Sequence, residues 1–199
     1  RSSVWCRSWC VNDFCKLLSL YDMKHLLIPI VCLLALSAVP ASAQQPLDPR
    51  PSPLAVLNLR YKDAYIKITY SQPHKNGRKI FGNLVPYNQV WRTGANEATE
   101  VTTTRDILIN DQLLKAGTYS LFTIPDREKW TIIINSDLGL WGSYNYNPAL
   151  DVMRFEVPSI KNAEVFEPFT MQFVQRNELA ELLLLWDDVR VLIPVKFIN

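Results

Sequence analysis

The sequence predicts an all-β protein, a single-domain antiparallel β-sandwich of jelly-roll or barrel-like form with two long packed loops. From Ala55 onward, apolar and polar residues alternate with period two, and turn-forming residues interrupt the alternation about every ten positions. No long helical pattern and no alternation of strands with helices is present, which argues against a parallel sheet. Several short strands of this kind are typical of antiparallel sandwiches and barrels.

The strands are predicted in chain order from their alternation. The segment AYIKITY (64–70) has one face formed by Ala64, Ile66, Ile68 and Tyr70. Further strand segments are TEVTTTR (99–105) with its continuation DILIND (106–111), TYSLFTIP (118–125), KWTIIINS (129–136), MRFEV, FTMQFV (169–174) and VRVLIPVKFI (189–198). The polar DREK segment between TYSLFTIP and KWTIIINS predicts a hairpin.

Two features near the end of the chain affect the last strands. NELAELLLLW (177–186) contains good helix formers, but the pair Asp187-Asp188 stands between it and a strongly β-branched segment. That arrangement favours a strand followed by a tight hairpin over a helix. Pro194 lacks an amide donor, so the last strand is expected to lie at a sheet edge or to contain a bulge.

The first fifty residues indicate export. Residues 23–43 have a short basic start, an apolar segment and an Ala-Ser-Ala ending, as a secretory signal peptide does. We expect residues 1–22 to be a mistranslated upstream segment, since a signal peptide normally begins the chain. Residues 44–54 are rich in proline and predict a linker, so the β-sandwich domain is assigned to 55–199. The expected location is periplasmic or extracellular.

Charge and cysteine content restrict the possible functions. The first 43 residues hold 4 of the 21 basic and 2 of the 19 acidic residues, which leaves 17 of each in the exported part. A neutral domain has no overall field to attract nucleic acid or an anionic membrane, and no membrane insertion is expected after signal cleavage. All four cysteines precede residue 44, which excludes thiol chemistry in the exported part. The spacing of Cys6, Cys10 and Cys15 does not fit a zinc site.

The alternation stops in two long segments. One lies between Ser71 and Ala98, and the other, SDLGLWGSYNYNPALD, covers 136–151. Both contain too many apolar and aromatic residues for disordered chain. Because long ordered loops in compact domains are commonly functional, a site is expected between 74–98 and 139–151.

Several motifs resemble a known family. They are SQPHKNGRKIFGNLVPYNQVWRTGANEATEV, LKAGTYSLFTIP, WTIIIN, WGSYNYNPALDVMR and LLWDDVRVLIPV. Together they resemble the bacterial secreted family called domain of unknown function 2911, from about Leu57 to Ile198, and the VWRTGANEAT block is highly specific. The resemblance implies an exported β protein, and it supplies neither an activity nor catalytic residues.

The candidate ligand-binding residues lie in the two irregular segments. Arg92, Asn96 and Glu97 could line a cleft with Trp91 or Tyr87 as a flat wall, since an arginine fork suits carboxylates, phosphates and sugar hydroxyls. The alternative is structural: Gly94 supplies a tight turn, Trp91 plugs one end of the core, and Arg92 pairs with Glu97 or a carbonyl. The full candidate set is Arg78, Tyr87, Trp91, Arg92, Asn96, Glu97, Trp141, Tyr144, Tyr146 and Asp151.

The aromatic residues of the second segment also allow two interpretations. Trp141, Tyr144 and Tyr146 could stack on a sugar ring, or they could cover the open end of the sandwich. A calcium site formed by Asn145, Asn147 and Asp151 fits no familiar loop spacing, so no metal and no cofactor is expected.

Catalysis has little support in the sequence. His74 is the only histidine of the exported part, and no G-x-S-x-G motif or glycine-rich phosphate loop occurs. The leading hypothesis is a non-catalytic domain that binds a small polar, saccharide or cell-envelope ligand. The alternatives are a carboxylate-dependent glycan or ester hydrolase, with Glu97 as acid/base and Asp151 as a possible second carboxylate, and an interaction module without a small-molecule site.

Overall fold

The computed structural model describes residues 48–198, and these residues form an antiparallel all-β domain. The strands are β1 Leu54–Tyr61, β2 Ala64–Ser71, β3 Ala95–Thr103, β4 Ile107–Ile109, β5 Gln112–Leu114, β6 Gly117–Pro125, β7 Lys129–Asn135, β8 Asp151–Arg176 and β9 Leu179–Phe197. A single 3-10 turn, Pro148–Leu150, precedes β8 within the described part. The predicted all-β antiparallel class is therefore confirmed.

All nine strands belong to one sheet, in the order β1-β2-β3-β6-β7-β8-β9-β4-β5, and this sheet is not closed into a barrel. The long strand β8 joins the two halves of the sheet. Its first residues pair with β7, up to Lys129 opposite Pro158, and its later residues pair with β9, from Ser159 opposite Val191 to Arg176 opposite Leu179. Because β8 pairs with β7 along its first part and with β9 along its later part, it connects the two halves of the sheet.

Strand β9 bends strongly along its length. The amide of Phe197 donates to the carbonyl of Glu178 at 2.8 Å, so the two ends of β9 meet. A straight strand of 19 residues would instead span roughly 60 Å. Asp187, with φ 53, lies within the strand where the pairing with β8 shifts register, and this irregularity accompanies the bend.

The main core lies between the two halves of the bent sheet. On β2, Ala64, Ile66, Ile68 and Tyr70 are buried, which is the face that the alternation predicts. The isoleucines of β2 belong to the same buried cluster as Ile107 of β4 and Ile193 of β9. Burial of this apolar surface supplies the main driving force for the fold.

Large aromatic side chains close one end of the core. Trp91 stacks on Trp186 with ring centroids 5.8 Å apart, and it meets Trp130 and Phe169 edge to face at 6.0 and 5.0 Å. Phe81 contacts the same indole rings. Edge-to-face and offset contacts of this kind suit the ring quadrupoles, so the cluster is both well packed and directional.

The last part of the chain confirms one prediction and corrects two others. Residues 179–186 are in β9, so the choice of strand over helix for NELAELLLLW is correct. The tight hairpin expected at Asp187-Asp188 is wrong, because β9 continues through both residues and the turn lies at 177–178. The expected edge position of the last strand is wrong, because β9 lies between β8 and β4 in the sheet. Pro194 is tolerated since it follows Val191, the last β9 residue paired with β8, and its carbonyl accepts a hydrogen bond from the amide of Asn110 at 2.9 Å.

Two other strand boundaries differ from the expected ones. MRFEV and FTMQFV belong to one continuous strand, β8, whose register shifts between Lys161 and Thr170 allow it to bend. The segment 99–111 is divided, because β3 ends at Thr103 and β4 begins at Ile107. The hairpin around the DREK segment is confirmed by the pairing of β6 with β7.

Residues 1–22 and 23–43 lie outside the described residues, and so does the first part of the 44–54 segment; the predictions for them concern that part of the chain. From the last part of that segment, the Pro53 carbonyl accepts a hydrogen bond from the amide of Gln72, and β1 begins at Leu54. Within residues 48–198, no helix has the length and apolar character needed to cross a membrane.

The aromatic cluster should dominate stability. Trp186 is almost fully buried, and its indole nitrogen donates to the carbonyl of Glu167 at 3.1 Å. We expect Trp186→Ala to lower the free energy of unfolding by about 3–5 kcal/mol in urea denaturation, because it leaves a large cavity. Trp141→Ala, at a side chain with 60% exposure, should change it by less than about 0.5 kcal/mol. Equal losses in the two variants would contradict this account of the core.

Candidate functional site

The two irregular segments lie against each other on the outer face of the sheet. The amide of Gly142 donates to the Asn96 carbonyl, and the amide of Ala98 donates to the Leu140 carbonyl, both at 2.9 Å. The hydroxyl of Ser143 donates to the Val90 carbonyl at 3.0 Å. The segment 136–150 is thus fixed to 90–98 by hydrogen bonds, as the predicted site requires.

A second, smaller core lies beneath this contact. Ala98, Phe122 and Ile133 are buried there, away from the main cluster, and Tyr146 packs on Phe122 with ring centroids 5.1 Å apart. Phe122 and Ile133 face away from the main core because successive residues of a strand point to opposite faces. The candidate site therefore rests on a packed surface.

Trp91 determines where the 91–98 segment lies. Its backbone exchanges two hydrogen bonds with Thr123 of β6, at 2.7 and 2.9 Å, and its indole nitrogen donates to the Gly94 carbonyl at 3.0 Å. Since Trp91 is only 8% exposed, it belongs to the core and cannot be the flat wall of an open cleft. Of the two interpretations of Trp91, the structure supports the core plug.

The turn after Trp91 does not depend on a left-handed glycine. Positive φ occurs at Thr93 (51°) and Asn96 (57°), whereas Gly94 has none. A β-branched residue at positive φ is strained, and Thr93 is held by a hydrogen bond from Thr99 Oγ1 to its carbonyl at 2.7 Å. The expectation that Gly94 supplies the tight turn is corrected: an added Cβ there would lie 2.9 Å from the Ser71 carbonyl oxygen, so the need is for space.

Glu97 pairs with a residue that the sequence assigned to the linker. Its carboxylate accepts two hydrogen bonds from Arg50, at 2.8 and 3.1 Å, and one from the Ser71 hydroxyl at 3.3 Å. The pKa of Glu97 is lowered from its ordinary value, first by the hydrogen bond from its own backbone amide and also by Arg50 and Ser71. The group therefore stays ionised at neutral pH, which suits a hydrogen-bond acceptor better than a general acid.

Arg92 does not form the pair with Glu97 that the structural alternative predicts. Its Nε is buried, and neither it nor the rest of the side chain has a hydrogen-bond or ion-pair partner among residues 48–198. One terminal nitrogen, Nη1, lies 3.8 Å from the position that a Cβ on Gly142 would occupy. The nearest ring carbon of Tyr144, Cε2, lies 2.9 Å from that same position.

Two aromatic side chains of the fixed loop face solvent. Trp141 is 60% exposed and Tyr144 is 83% exposed. Trp141 also forms an isolated backbone bridge with Glu97, so these two residues are neighbours. Beside them lies a surface cavity of about 180 Å³, lined by Leu54, Thr69, Tyr70, Ser71, Glu97, Ala98, Glu100, Gly139 and Leu140.

Tyr146 and Asp151 form a separate polar cluster. The Tyr146 hydroxyl donates to the Asp151 carboxylate, at 2.7 Å to the nearer oxygen, and Arg154 and Asn135 donate to the same carboxylate at 2.9 Å. Burial raises the pKa of Tyr146 first, and the neighbouring Asp151 raises it further. The Asp151 oxygens are thus already occupied by donors, and this cluster ties the end of the loop to the start of β8.

The remaining candidates lie among contacts of their own. Arg78 donates to the carbonyls of His74 and Lys75, within its own loop. The guanidinium of Arg127 lies 5.6 Å from the ring centre of Tyr87, which is half-buried against the main core. Within residues 48–198, neither Arg78 nor Tyr87 forms a hydrogen bond, ion pair or ring contact with Glu97 or Trp141.

Another depression, of about 540 Å³, lies at the β1–β2 and β3–β4 turns. Its lining residues are Tyr61, Lys62, Asp63, Ala64, Thr104, Arg105, Asp106, Ala116 and Ile198. Arg105 pairs with Asp63 at 2.6 Å, and Asp106 pairs with Lys115 at 2.8 Å. Because it contains none of the candidate residues and its acidic groups are paired, this depression contributes nothing to the site.

The sequence did not reveal four residues of this surface. Arg50 and Ser71 hold Glu97, while Asn135 and Arg154 hold Asp151. Arg154 alternates outward on a predicted strand, so its side of β8 could be anticipated. Arg50 stands in a proline-rich stretch whose composition carries no signal for a contact 47 residues away.

The close approach at Gly94 gives a stability prediction. Gly94→Ala should lower the free energy of unfolding by about 1–3 kcal/mol, because its Cβ would meet the Ser71 carbonyl oxygen at 2.9 Å and Thr99 Oγ1 at 3.3 Å. Urea denaturation measures the change. A variant as stable as the wild type would show that the backbone there has room to move.

The lowered pKa of Glu97 gives a pH prediction. A carboxyl whose pKa is lower in the folded state adds stability above its ordinary value of 4.5 and loses it as the pH falls through the folded value. The stability difference between wild type and Glu97→Gln, measured by urea denaturation, should therefore shrink below pH 4.5. It should be small and weakened by salt, since the side chain is 43% exposed. A difference independent of pH would contradict this.

Comparison with known proteins agrees with the resemblance in the motifs. The sequence pattern of the family described as "Protein of unknown function (DUF2911)" matches residues 52–195, which include nearly all of β1 to β9. No curated protein and no solved structure matches the chain. Because the match covers well over half of the sequence, the chain belongs to the DUF2911 family of proteins of unknown function.

Proposed function

We propose that this protein is an exported, non-catalytic domain that binds a saccharide or similar polar cell-envelope ligand on the outer face of its sheet. The observation that carries the proposal is the exposure of Trp141 and Tyr144, at 60% and 83%, on a loop that hydrogen bonds hold in place. The ligand would lie across these rings, beside Glu97 and Asn96. Export to the periplasm or beyond is part of the same proposal.

The exposed rings do not gain the stabilisation that burial would give them, so their exposure indicates a function. Large aromatic side chains bury much apolar area when they pack, and the same loop does bury the ring of Tyr146 against Phe122. Trp141 and Tyr144 face solvent although this small core lies directly beneath the loop. An apolar surface of this kind, rimmed by polar groups, is typical of a binding site.

The polar neighbours suit hydroxyl groups. Glu97 is ionised and exposed, and a carboxylate accepts hydrogen bonds from hydroxyls. Arg50 and Ser71 fix its position. Sugars present an apolar face to a ring and hydroxyls to their edge, so the combination of flat aromatic groups with a fixed carboxylate fits them.

The hydrolase alternative has less support. Glycoside hydrolysis needs a protonated carboxyl as general acid and a second carboxyl across the scissile bond. The pKa of Glu97 is lowered, and Asp151 is occupied by Tyr146, Asn135 and Arg154. Glu97 is therefore poorly suited to act as the general acid, and the oxygens of Asp151 already accept hydrogen bonds from its neighbours.

A glycan screen followed by calorimetry tests the proposal. Residues 44–199 are first applied to an array of bacterial cell-envelope and plant oligosaccharides, and the best ligands are titrated in solution. Trp141→Ala should weaken binding by about 2 kcal/mol or more, roughly thirtyfold, because a central stacking surface is lost. Its stability should stay close to that of the wild type, which separates the effect from unfolding.

The matched control is Leu138→Ala, which also removes an exposed apolar side chain (45%) from the same loop. This control should bind like the wild type. The absence of binding to every glycan tested, or equal affinities for wild type and Trp141→Ala, would contradict the proposal.

A further inference from the structure

Arg92 is the cation of this surface that lacks an acidic partner. Its Nε is buried without a hydrogen bond, and no carboxylate among residues 48–198 contacts its guanidinium. Buried donors of this kind are rare in folded proteins and call for an explanation, such as an ion or ligand that completes them. Nε is the one nitrogen of this side chain that is both buried and without a partner, so the terminal nitrogens of the guanidinium remain open to solvent.

The nearby carboxylates are already engaged. Glu97 is neutralised by Arg50 at 2.8 Å, and Asp151 by Arg154 at 2.9 Å. Glu100 accepts a hydrogen bond from the amide of Gly139 at 3.2 Å. Of the charged groups around the loop, Arg92 is the one whose charge and donors are left for a ligand.

The loop keeps Arg92 next to an aromatic surface. Gly142 has a φ of 73° and lies close to the side chains of Arg92 and Tyr144. An added Cβ there would clash with the Tyr144 ring at 2.9 Å and would lie 3.8 Å from Arg92 Nη1. The exposed ring and the guanidinium therefore both border this glycine. A ligand resting on Tyr144 would have its edge close to the arginine.

We infer that Arg92 is the anion-recognition residue of the site, and that the ligand is an anionic saccharide bearing a carboxylate or a phosphate. This inference rests on the proposed saccharide-binding function and specifies its ligand class. The planar guanidinium can donate two parallel hydrogen bonds to either anion, whereas a neutral sugar would leave its charge uncompensated. Partial burial reduces the screening of this interaction by water.

The experiment compares each charged ligand with an uncharged counterpart of the same sugar. The carboxylate arm titrates oligogalacturonide and oligoalginate against their methyl esters, and the phosphate arm titrates mannose 6-phosphate against mannose. Each titration uses wild type, Arg92→Gln, Arg92→Lys and the control Arg176→Gln, which removes an exposed arginine at the end of β8. Thermal unfolding of each variant checks that it is folded.

We expect at least one anionic ligand to bind the wild type about tenfold or more tightly than its uncharged twin, a preference that added salt reduces. Arg92→Gln should abolish the preference while the affinity for the uncharged twin remains. Arg92→Lys should restore part of it, because it keeps the charge and loses the fork. Arg176→Gln should behave like the wild type.

Three results would overturn the inference: equal binding of every charged ligand and its twin, a preference that survives in Arg92→Gln, or no binding of any anionic ligand. The proposed saccharide-binding function is tested separately from the inference on Arg92. If neutral oligosaccharides still bind and Trp141→Ala still weakens them, saccharide binding stands and the anionic class is wrong. If nothing in the glycan screen binds either, both are wrong.

Discussion

The packing of Trp91 within the aromatic end of the core is the interaction on which the rest of the molecule depends. Its ring stacks on Trp186 of β9 and meets Trp130 of β7, so one side chain from a long loop connects both halves of the bent sheet. Its backbone pairs with Thr123 and its indole nitrogen holds the Gly94 carbonyl. This site combines large apolar burial with several directional contacts, so the loop has little freedom left once the ring is placed.

The outer surface follows from that anchor. With Trp91 in the core, the next residues leave it through a strained turn at Thr93 and reach β3, where Asn96 and Ala98 exchange backbone hydrogen bonds with the 136–150 segment. The aromatic loop is thereby fixed over its own small core, with Trp141 and Tyr144 outward. The same residue that stabilises the inside therefore determines the geometry of the surface we propose to bind a ligand.

Local patterns in the sequence predicted the parts of the fold that depend on local chemistry. The period-two alternation around Ile66 and Ile68 identified the buried face of β2, and the breaks in alternation identified the two segments that meet. The alternation gave wrong predictions where long-range contacts determine the structure. Asp187-Asp188 has the composition of a turn but forms an irregularity inside β9, because β8 continues alongside it. The orientation of Trp91 towards the core depends on partners far away in the chain, such as Trp186. The same is true of Glu97, which pairs with Arg50 and not with Arg92.

The coupling between the core anchor and the outer loop can be measured by amide hydrogen exchange in Trp91→Phe, which keeps an aromatic ring but loses the indole donor to Gly94. The account predicts faster exchange of the Ala98 and Gly142 amides, whose hydrogen bonds join the two loops, while the amides that hydrogen bond between β6 and β7 keep their protection. Exchange of Ala98 and Gly142 at the wild-type rate in the folded variant would contradict the claim that Trp91 positions this surface.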